Sequence, residues 1–289
     1  MNKPYDFLTS DKEPFIYFDK SMIRMDDGFL TAFNGKNGKM IISPSSHMVL
    51  LLGMGTSISQ DAAIFSAQHD MDIAFLRGDS NVHTVMKEIR MQDPYRLVNQ
   101  VKNQEKHKLE IARELLKLRF KLLKYENSFI NQIYDLKTIE EITLFEARWT
   151  KDVYKTLCIK NNIGDFKRDF KGSDIVNARL NILNDSLYSL CTSIALACHC
   201  SPSIGFIHGF SRRGGFSFDL ADIIKTPTTV KMSFESDFSI DSRKLMKQLM
   251  TEIKRDKSKL TKILINVCLN LGEEFNLDKW NEIYERFNI

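Results

Sequence analysis

The stretch DPYRLVNQVKNQEKHKLEIARELLKLRFKLLK, Asp93 to Lys124, decides how this chain is divided. There is no glycine between Gly78 and Gly164, and no proline between Pro94 and Pro202. A span that lacks both helix breakers and is rich in Lys, Glu and Leu is predicted helical. Leu109, Ala112, Leu115, Leu116, Leu122 and Leu123 supply its buried face. The residues before it are built differently. Up to Gly78 they carry six of the thirteen glycines and four short β-like runs: FIYF (15–18), GFLTAF (28–33), KMIIS (39–43) and HMVLLL (47–52). Asn34-Gly35 and Asn37-Gly38 form a hairpin signal between the second and third runs. A short helix is expected over Ile58–His69, capped by Ser57 or Thr56, and a further strand over DIAFLRG (72–78). The boundary falls near Asp93-Pro94. The expected fold class is α+β, with a small N-terminal β-rich domain over 1–92 and a larger all-α C-terminal domain over 93–289.

Composition bounds the function classes. A chain of 289 residues with 43% hydrophobic and 27% charged residues fits a soluble globular protein with a proper core. The N-terminus has no apolar core of signal-peptide length. The longest apolar run, Leu187 to Cys198, is too short for a membrane span and contains Ser and Thr. A cytoplasmic protein with no membrane partner is expected. Five cysteines, an odd number, read as reduced thiols. Cys198-His199-Cys200 has the look of a metal motif, but no second cysteine pair lies at zinc spacing, and its surroundings read as the end of a buried helix.

The net charge of +4 is mild, and its distribution says more. Lys106, Arg113, Lys117 and Lys124 follow helical spacing and would share one face. A second basic cluster holds Arg243, Lys244, Lys247, Lys254, Arg255, Lys257, Lys259 and Lys262. Most such stripes are solvated helix faces. Two of them, together with Arg212-Arg213, favour a phosphate-binding surface.

HMVLLL-GMGTS-ISQDAAIF has the outline of a dinucleotide-binding turn, with strand, glycines and helix in order. The third glycine of that motif falls on Ile58, however, and the preceding runs read as hairpins. Arg77-Gly78-Asp79 reads as a strand end.

SPSIGFIHGFSRRGGFSFDLADIIK, Ser201 to Lys225, is different because three kinds of residue converge in it. Asp219 and Asp222 lie three apart, on one face of a helix's first turn. As helix caps they would need no further role, and His208 alone would more often be structural. Together, Asp and His are donors for a hard divalent metal. A third carboxylate is needed. Glu146, in LFEARWTKDVYK, sits among Ala147, Trp149, Val153 and Tyr154. Spacing alone leaves Glu140 and Glu141 as open as Glu146.

Three blocks resemble the CRISPR-associated adaptation integrase family ("Cas-one"), with a leaning toward its type I-F subtype. FEARWTKDVYK resembles a family helix with a metal-binding Glu and a Tyr two turns later, here Glu146 and Tyr154. DIVNARLNILNDSLYSL resembles an N-x-x-x-N helix with a tyrosine, here Asn177, Asn181, Asn184 and Tyr188. IGFIHGFSRRGGFSFDLADIIK is similar to the block that completes the metal site, with His208 and Asp222. The resemblance implies Mg²⁺ or Mn²⁺ held by Glu146, His208 and Asp222, which would be the catalytic residues. It also implies double-stranded DNA as substrate, short fragments and the CRISPR repeat alike, with 3′-hydroxyl ends joined into the repeat array by transesterification. Arg212, Arg213 and Lys225 would contact DNA phosphates, and the glycines would let backbone approach DNA. Tyr188, Asn177 and Asp219 would bind or support, Asp219 as cap or as backing for the site. A homodimer is implied, with two such dimers flanking a dimer of a second adaptation protein ("Cas-two", fused to the helicase-nuclease in type I-F). The alternatives are a structure-specific nuclease on branched DNA and a catalytically inactive DNA-binding scaffold.

Overall fold

The computed structural model describes residues 12–35, 38–76, 82–86, 93–172, 174–209, 214–235, 237–255 and 258–289. Its first part contains β1 (Glu13–Phe18), β2 (Met22–Asp26), β3 (Phe29–Asn34), β4 (Gly38–Ile41), β5 (His47–Leu52), β6 (Ser57–Ile58), α1 (Gln60–Gln68), β7 (Asp72–Leu76) and β8 (Val82–Met86). Two four-stranded sheets result, ordered β1-β5-β7-β8 and β4-β3-β2-β6.

β5 shows why the first sheet forms. Its apolar run is continuous because both faces are covered. Leu50 and Leu52 pack with Ile23, Leu30 and Ala62 of the second sheet and α1. Val49 and Leu51 pack with Leu183, Leu187 and Ile194 of the helical part. The first sheet therefore shares its core with the helices behind it.

Three expectations change here. The runs before the Gly53-Met54-Gly55 turn are hairpins only in β2–β3 and β3–β4, whereas β1, β5 and β7 pair in parallel. β5 passes through that turn, β6 and α1 to reach β7, which is the parallel crossover the sequence reading set aside. A Cβ on Gly53 would overlap the Tyr17 side chain, and the Gly53 N–H donates to the Phe18 carbonyl at 2.7 Å. This glycine serves packing onto β1. The cap of α1 is Ser59, whose Oγ accepts from Ala62 N at 3.3 Å, in place of Ser57 or Thr56. β2 was not foreseen. It pairs with β3 across Asp27-Gly28, both at positive φ (50° and 81°), the left-handed turn that Asp-Gly favours. The expected hairpin at 34–38 is present as the β3–β4 pair, with Asn34 opposite Gly38; Asn37 lies outside the described residues, as do Arg77, Gly78 and Asp79.

The helical part runs α2 (Pro94–Lys106), α3 (Lys108–Leu122), α4 (Asn127–Asn131), α5 (Ile139–Lys160), α6 (Ile175–Ala197), α7 (Gly215–Ile224), α8 (Lys231–Glu235), α9 (Ser242–Arg255), α10 (Ser258–Leu271) and α11 (Leu277–Phe287). The opening stretch is thus two helices, broken at His107, whose ring stacks on Phe275 at 4.8 Å. The break corrects the single basic face. Lys106 ends α2, Arg113 donates to the Leu136 carbonyl, and Lys117 pairs with Glu114 at 3.2 Å. Lys124 follows α3 in a left-handed conformation.

α2 turns polar side chains inward. Gln100 donates to the Ser201 and Ile204 carbonyls and accepts from Ser201 N. Asn103 donates to the carbonyls of Leu271 and Glu273. These amides satisfy backbone groups left over at the end of α10 and at the turn leading to His208. In the second basic cluster Lys247 pairs with Asp19 at 3.0 Å and Lys262 with Glu13 at 2.9 Å, so part of it pins helices to the β1 region. Lys257 and the Arg243 side chain lie outside the described residues.

Among the described residues no helix is long and apolar enough to cross a membrane. Cys198 and Cys200 are buried in the core, and His199 Nδ1 accepts from Asp93 N at 3.0 Å.

Candidate active site

α5 begins at a reciprocal cap. Thr138 Oγ1 accepts from Glu141 N at 3.1 Å, and Glu141 reaches back to Lys137 N at 2.5 Å. Glu141 is thereby committed to the helix end. One and a half turns on, Glu146 faces a cleft of about 920 Å³ that also exposes His208, Asp222, Lys225, Tyr154, Tyr188 and Asn184. Glu140 and Glu141 do not line it. The carboxylate of Glu146 pairs through Oε1 with Nη1 of Arg119, a residue of α3 that no sequence motif singles out.

His208 is presented by a loop that folds back onto α7. Asp219, open between a cap and backing for the site, is not a cap: it lies inside α7, which starts four residues earlier behind Gly214 in the left-handed conformation (φ 82°). Its buried carboxylate accepts instead from the backbone N–H groups of Phe206 (2.5 Å), Ile207 (3.2 Å) and His208 (3.1 Å), and from His208 Nδ1 at 2.8 Å. Two glycines of this block, Gly205 and Gly215, serve that fold-back. A Cβ on Gly205 would stand 2.6 Å from the Gly215 carbonyl carbon. Only backbone fits there.

Asp222, one turn beyond Asp219, turns Oδ2 to within 3.7 Å of His208 Nε2 and gives Oδ1 to Lys225 Nζ at 2.6 Å. Lys225 Nζ also lies 5.1 Å from the centre of the Tyr188 ring, which meets Phe218 edge-on at 4.6 Å. These contacts set the electrostatics. Burial pulls the His208 pKa down, but the Asp219 hydrogen bond and the charges of Asp222 and Glu146 outweigh it and raise it. Burial pushes Asp222 up, yet Lys225, Arg119 and His208 hold it below the ordinary carboxylate value. Burial raises the pKa of both Tyr154 and Tyr188.

The Asn-rich helix does something the sequence did not suggest. Asn177 is buried at the start of α6 and does not line the cleft. Its Oδ1 accepts from Arg168 Nη1 (2.9 Å) and Asp169 N (3.0 Å), and its Nδ2 donates to the Lys167 carbonyl (3.0 Å). Asn181 accepts from Arg168 Nη2 at 2.6 Å and donates to the Phe170 carbonyl. The two amides pin the 167–170 segment, and Arg168 and Phe170 of that segment form one wall of the cleft. Asn184 accepts from Thr229 Oγ1 at 2.5 Å. Arg212 and Arg213 lie outside the described residues.

Two carboxylates and an imidazole thus converge on one cleft, each held from behind. Residues 15–236 match the family described as CRISPR associated protein Cas1. The chain belongs to the Cas1 family. Among curated Cas1 proteins it is 27% identical over 232 residues to CRISPR-associated endonuclease Cas1 2 of Chlorobaculum tepidum, covering 78% of this chain and 75% of that one. The Cas1 fold extends over nearly the whole chain. TtCas1 superposes with a TM-score of 0.69 at 19% identity, over 90% of this chain and 98% of its own. A casposase bound to an integration product gives 0.61 at 13% identity, covering 90% of each chain. The N-terminal sheets followed by a mostly helical part match the Cas1 fold, as the α+β reading expected.

Proposed function

We propose that the chain is a divalent-metal-dependent DNA integrase/endonuclease of CRISPR adaptation, with Glu146, His208 and Asp222 as catalytic residues and as ligands of Mg²⁺ or Mn²⁺. The observation that carries this reading is how the three side chains are held. Arg119 holds Glu146 at Oε1, Lys225 holds Asp222 at Oδ1, and Asp219 holds His208 at Nδ1. Each has a second donor atom, and ligands fixed from behind in this way are the common design of protein metal sites. Among the described residues no three such side chains already stand close enough to enclose an ion. The donor types nevertheless fit a hard divalent cation. When bound, the ion would serve as a Lewis acid on a phosphoryl oxygen.

The protein's own groups account for the rest. Lys225 and Arg119 place positive charge at the cleft, where a phosphodiester would bring negative charge. The 3′-hydroxyl of a short DNA fragment attacks a phosphodiester of the repeat. One P–O bond forms as the bond to the repeat's own 3′ oxygen breaks, and the attacking hydroxyl's proton ends on that leaving oxygen by way of solvent. One phosphodiester replaces another, so no external energy source is needed.

DNA as substrate gains support from relatives of the same fold, one of them TtCas1 in complex with DNA. The same reading includes a homodimer and a dimer of the second adaptation protein, Cas-two. It also includes a type I-F-like subtype, which rests on VLLLGMGTSISQDAAIF and DIAFLRG of the N-terminal part together with HGFSRRGGFSFDLADIIK. The test is strand joining between a short duplex with free 3′ ends and a repeat-containing target, in Mn²⁺ and again after chelation. Joined products that vanish on chelation support the integrase. Cleavage of branched DNA without joining points to a nuclease. DNA binding without either reaction points to a scaffold.

A further inference from the structure

Arg119 is a buried arginine at the edge of the cleft. It sits on α3 with its side chain 4% exposed. Its Nη1 pairs with Glu146 on α5, and its Nη2 donates to Thr226 Oγ1 at 3.3 Å, in the turn directly after Lys225. The guanidinium lies 4.5 Å from the centre of the Trp149 ring, and Trp149 is fixed by its own bond to Tyr125 Oη at 2.7 Å. Its Nε is buried without a hydrogen-bond partner among the described residues.

Burying a guanidinium costs much of what its ion pair returns, and leaving one N–H unpaired adds to that cost. Stability is therefore a poor reason for this arginine, whereas its location offers a better one. The planar fork ties the helix that carries Glu146 to the end of the helix that carries Asp222. It takes hold of Glu146 at Oε1 alone.

We infer that Arg119 is a positioning residue. It fixes the Glu146 carboxylate relative to Asp222 so that the other oxygen, Oε2, can serve the metal. This rests on the metal reading above and adds a determinant of metal affinity outside the ligand set.

The test is Mn²⁺ titration of the DNA-free protein by calorimetry, with thermal melts run in parallel. Arg119→Gln is expected to weaken Mn²⁺ binding about 10- to 100-fold, the range usual for residues that orient ligands. Arg119→Lys keeps one charge near Glu146 but loses the fork, and should recover part of that loss. Thr226→Val removes the second anchor and should give a smaller loss of Mn²⁺ affinity, with a modest drop in melting temperature because Arg119 Nη2 loses its acceptor. If Arg119→Gln does not fold, the Lys and Val variants decide the matter. Unchanged Mn²⁺ affinity in the folded variants overturns the role of Arg119 and leaves the metal reading standing, as does tighter binding. No Mn²⁺ binding by the unsubstituted protein overturns both.

Discussion

Asp219 holds His208 twice, through the backbone N–H at 3.1 Å and through Nδ1 at 2.8 Å. With the N–H groups of Phe206 and Ile207 also on Oδ2, one buried carboxylate organises the whole loop that delivers the imidazole. Asp219→Ala strands these donors in the interior. Unsatisfied buried donors cost about 1–3 kcal/mol each, so the loss should reach roughly 3 kcal/mol, well above the cost of a lost helix cap. Strand joining should fall with it. Chemical denaturation checks the first part, and a loss of 1 kcal/mol or less would return Asp219 to a minor role.

Asp222 and Lys225 are predicted to separate stability from activity. Removing one member of a buried pair costs about 3–5 kcal/mol, because the other charge is left behind. Asp222→Ala should therefore lower the melting temperature as well as abolish joining. Asp222→Ala combined with Lys225→Met removes both charges and should recover most of the stability with no recovery of joining. Glu146→Gln leaves the buried Arg119 charge behind in the same way, so it should lower the melting temperature as well as abolish joining, whereas His208→Ala should abolish joining with a smaller stability loss. Full joining by the double variant would show that neither residue belongs to the chemistry.

How much of this was legible in the sequence depended on whether a feature was local. HMVLLL announced a strand, and the stretch without glycine or proline announced helices. His208 and Asp222 stood out because a loop and a helix carried them close together. β2 escaped because only Ile23 of its MIRMD is fully buried, so it has no apolar run. The helix break at His107 escaped because neither breaker residue marks it; a ring stack across the fold fixes that corner. Arg119 had the appearance of one more basic residue in a Lys-rich stripe. Its partners Glu146 and Thr226 come from other elements, and no periodicity within α3 encodes them.

Asn177 is predicted to act on the cleft wall and not on DNA directly. Asn177→Ala removes the acceptor for Arg168 and Asp169 and the donor to Lys167. Local hydrogen exchange should then quicken at Asp169, which donates to Asn177, while the amides of Phe206 to His208 keep their protection. DNA affinity should drop only as far as the 167–170 segment loosens. Loss of binding with unaltered exchange at Asp169 would instead mean direct contact.

The last prediction concerns assembly. β4 is an edge strand whose four residues are all exposed, and Met40 and Ile41 remain 49% and 55% accessible there. On the same sheet Phe29 is 55% and Met22 51% accessible. An exposed apolar edge invites pairing with another chain. A two-fold contact between copies would cover edge and side chains together, in the geometry commonest among soluble homo-oligomers. It would also place two Glu146/His208/Asp222 clefts on one body, as joining both ends of a DNA fragment requires. The protein is therefore expected to sediment as a dimer at micromolar concentration without DNA. Ile41→Lys with Phe29→Lys should shift it toward monomer while the melting temperature of the fold changes little, since neither side chain contributes to the core. A dimer unaffected by both charges would move the interface away from this sheet, and a monomer with full joining activity would remove the need for one.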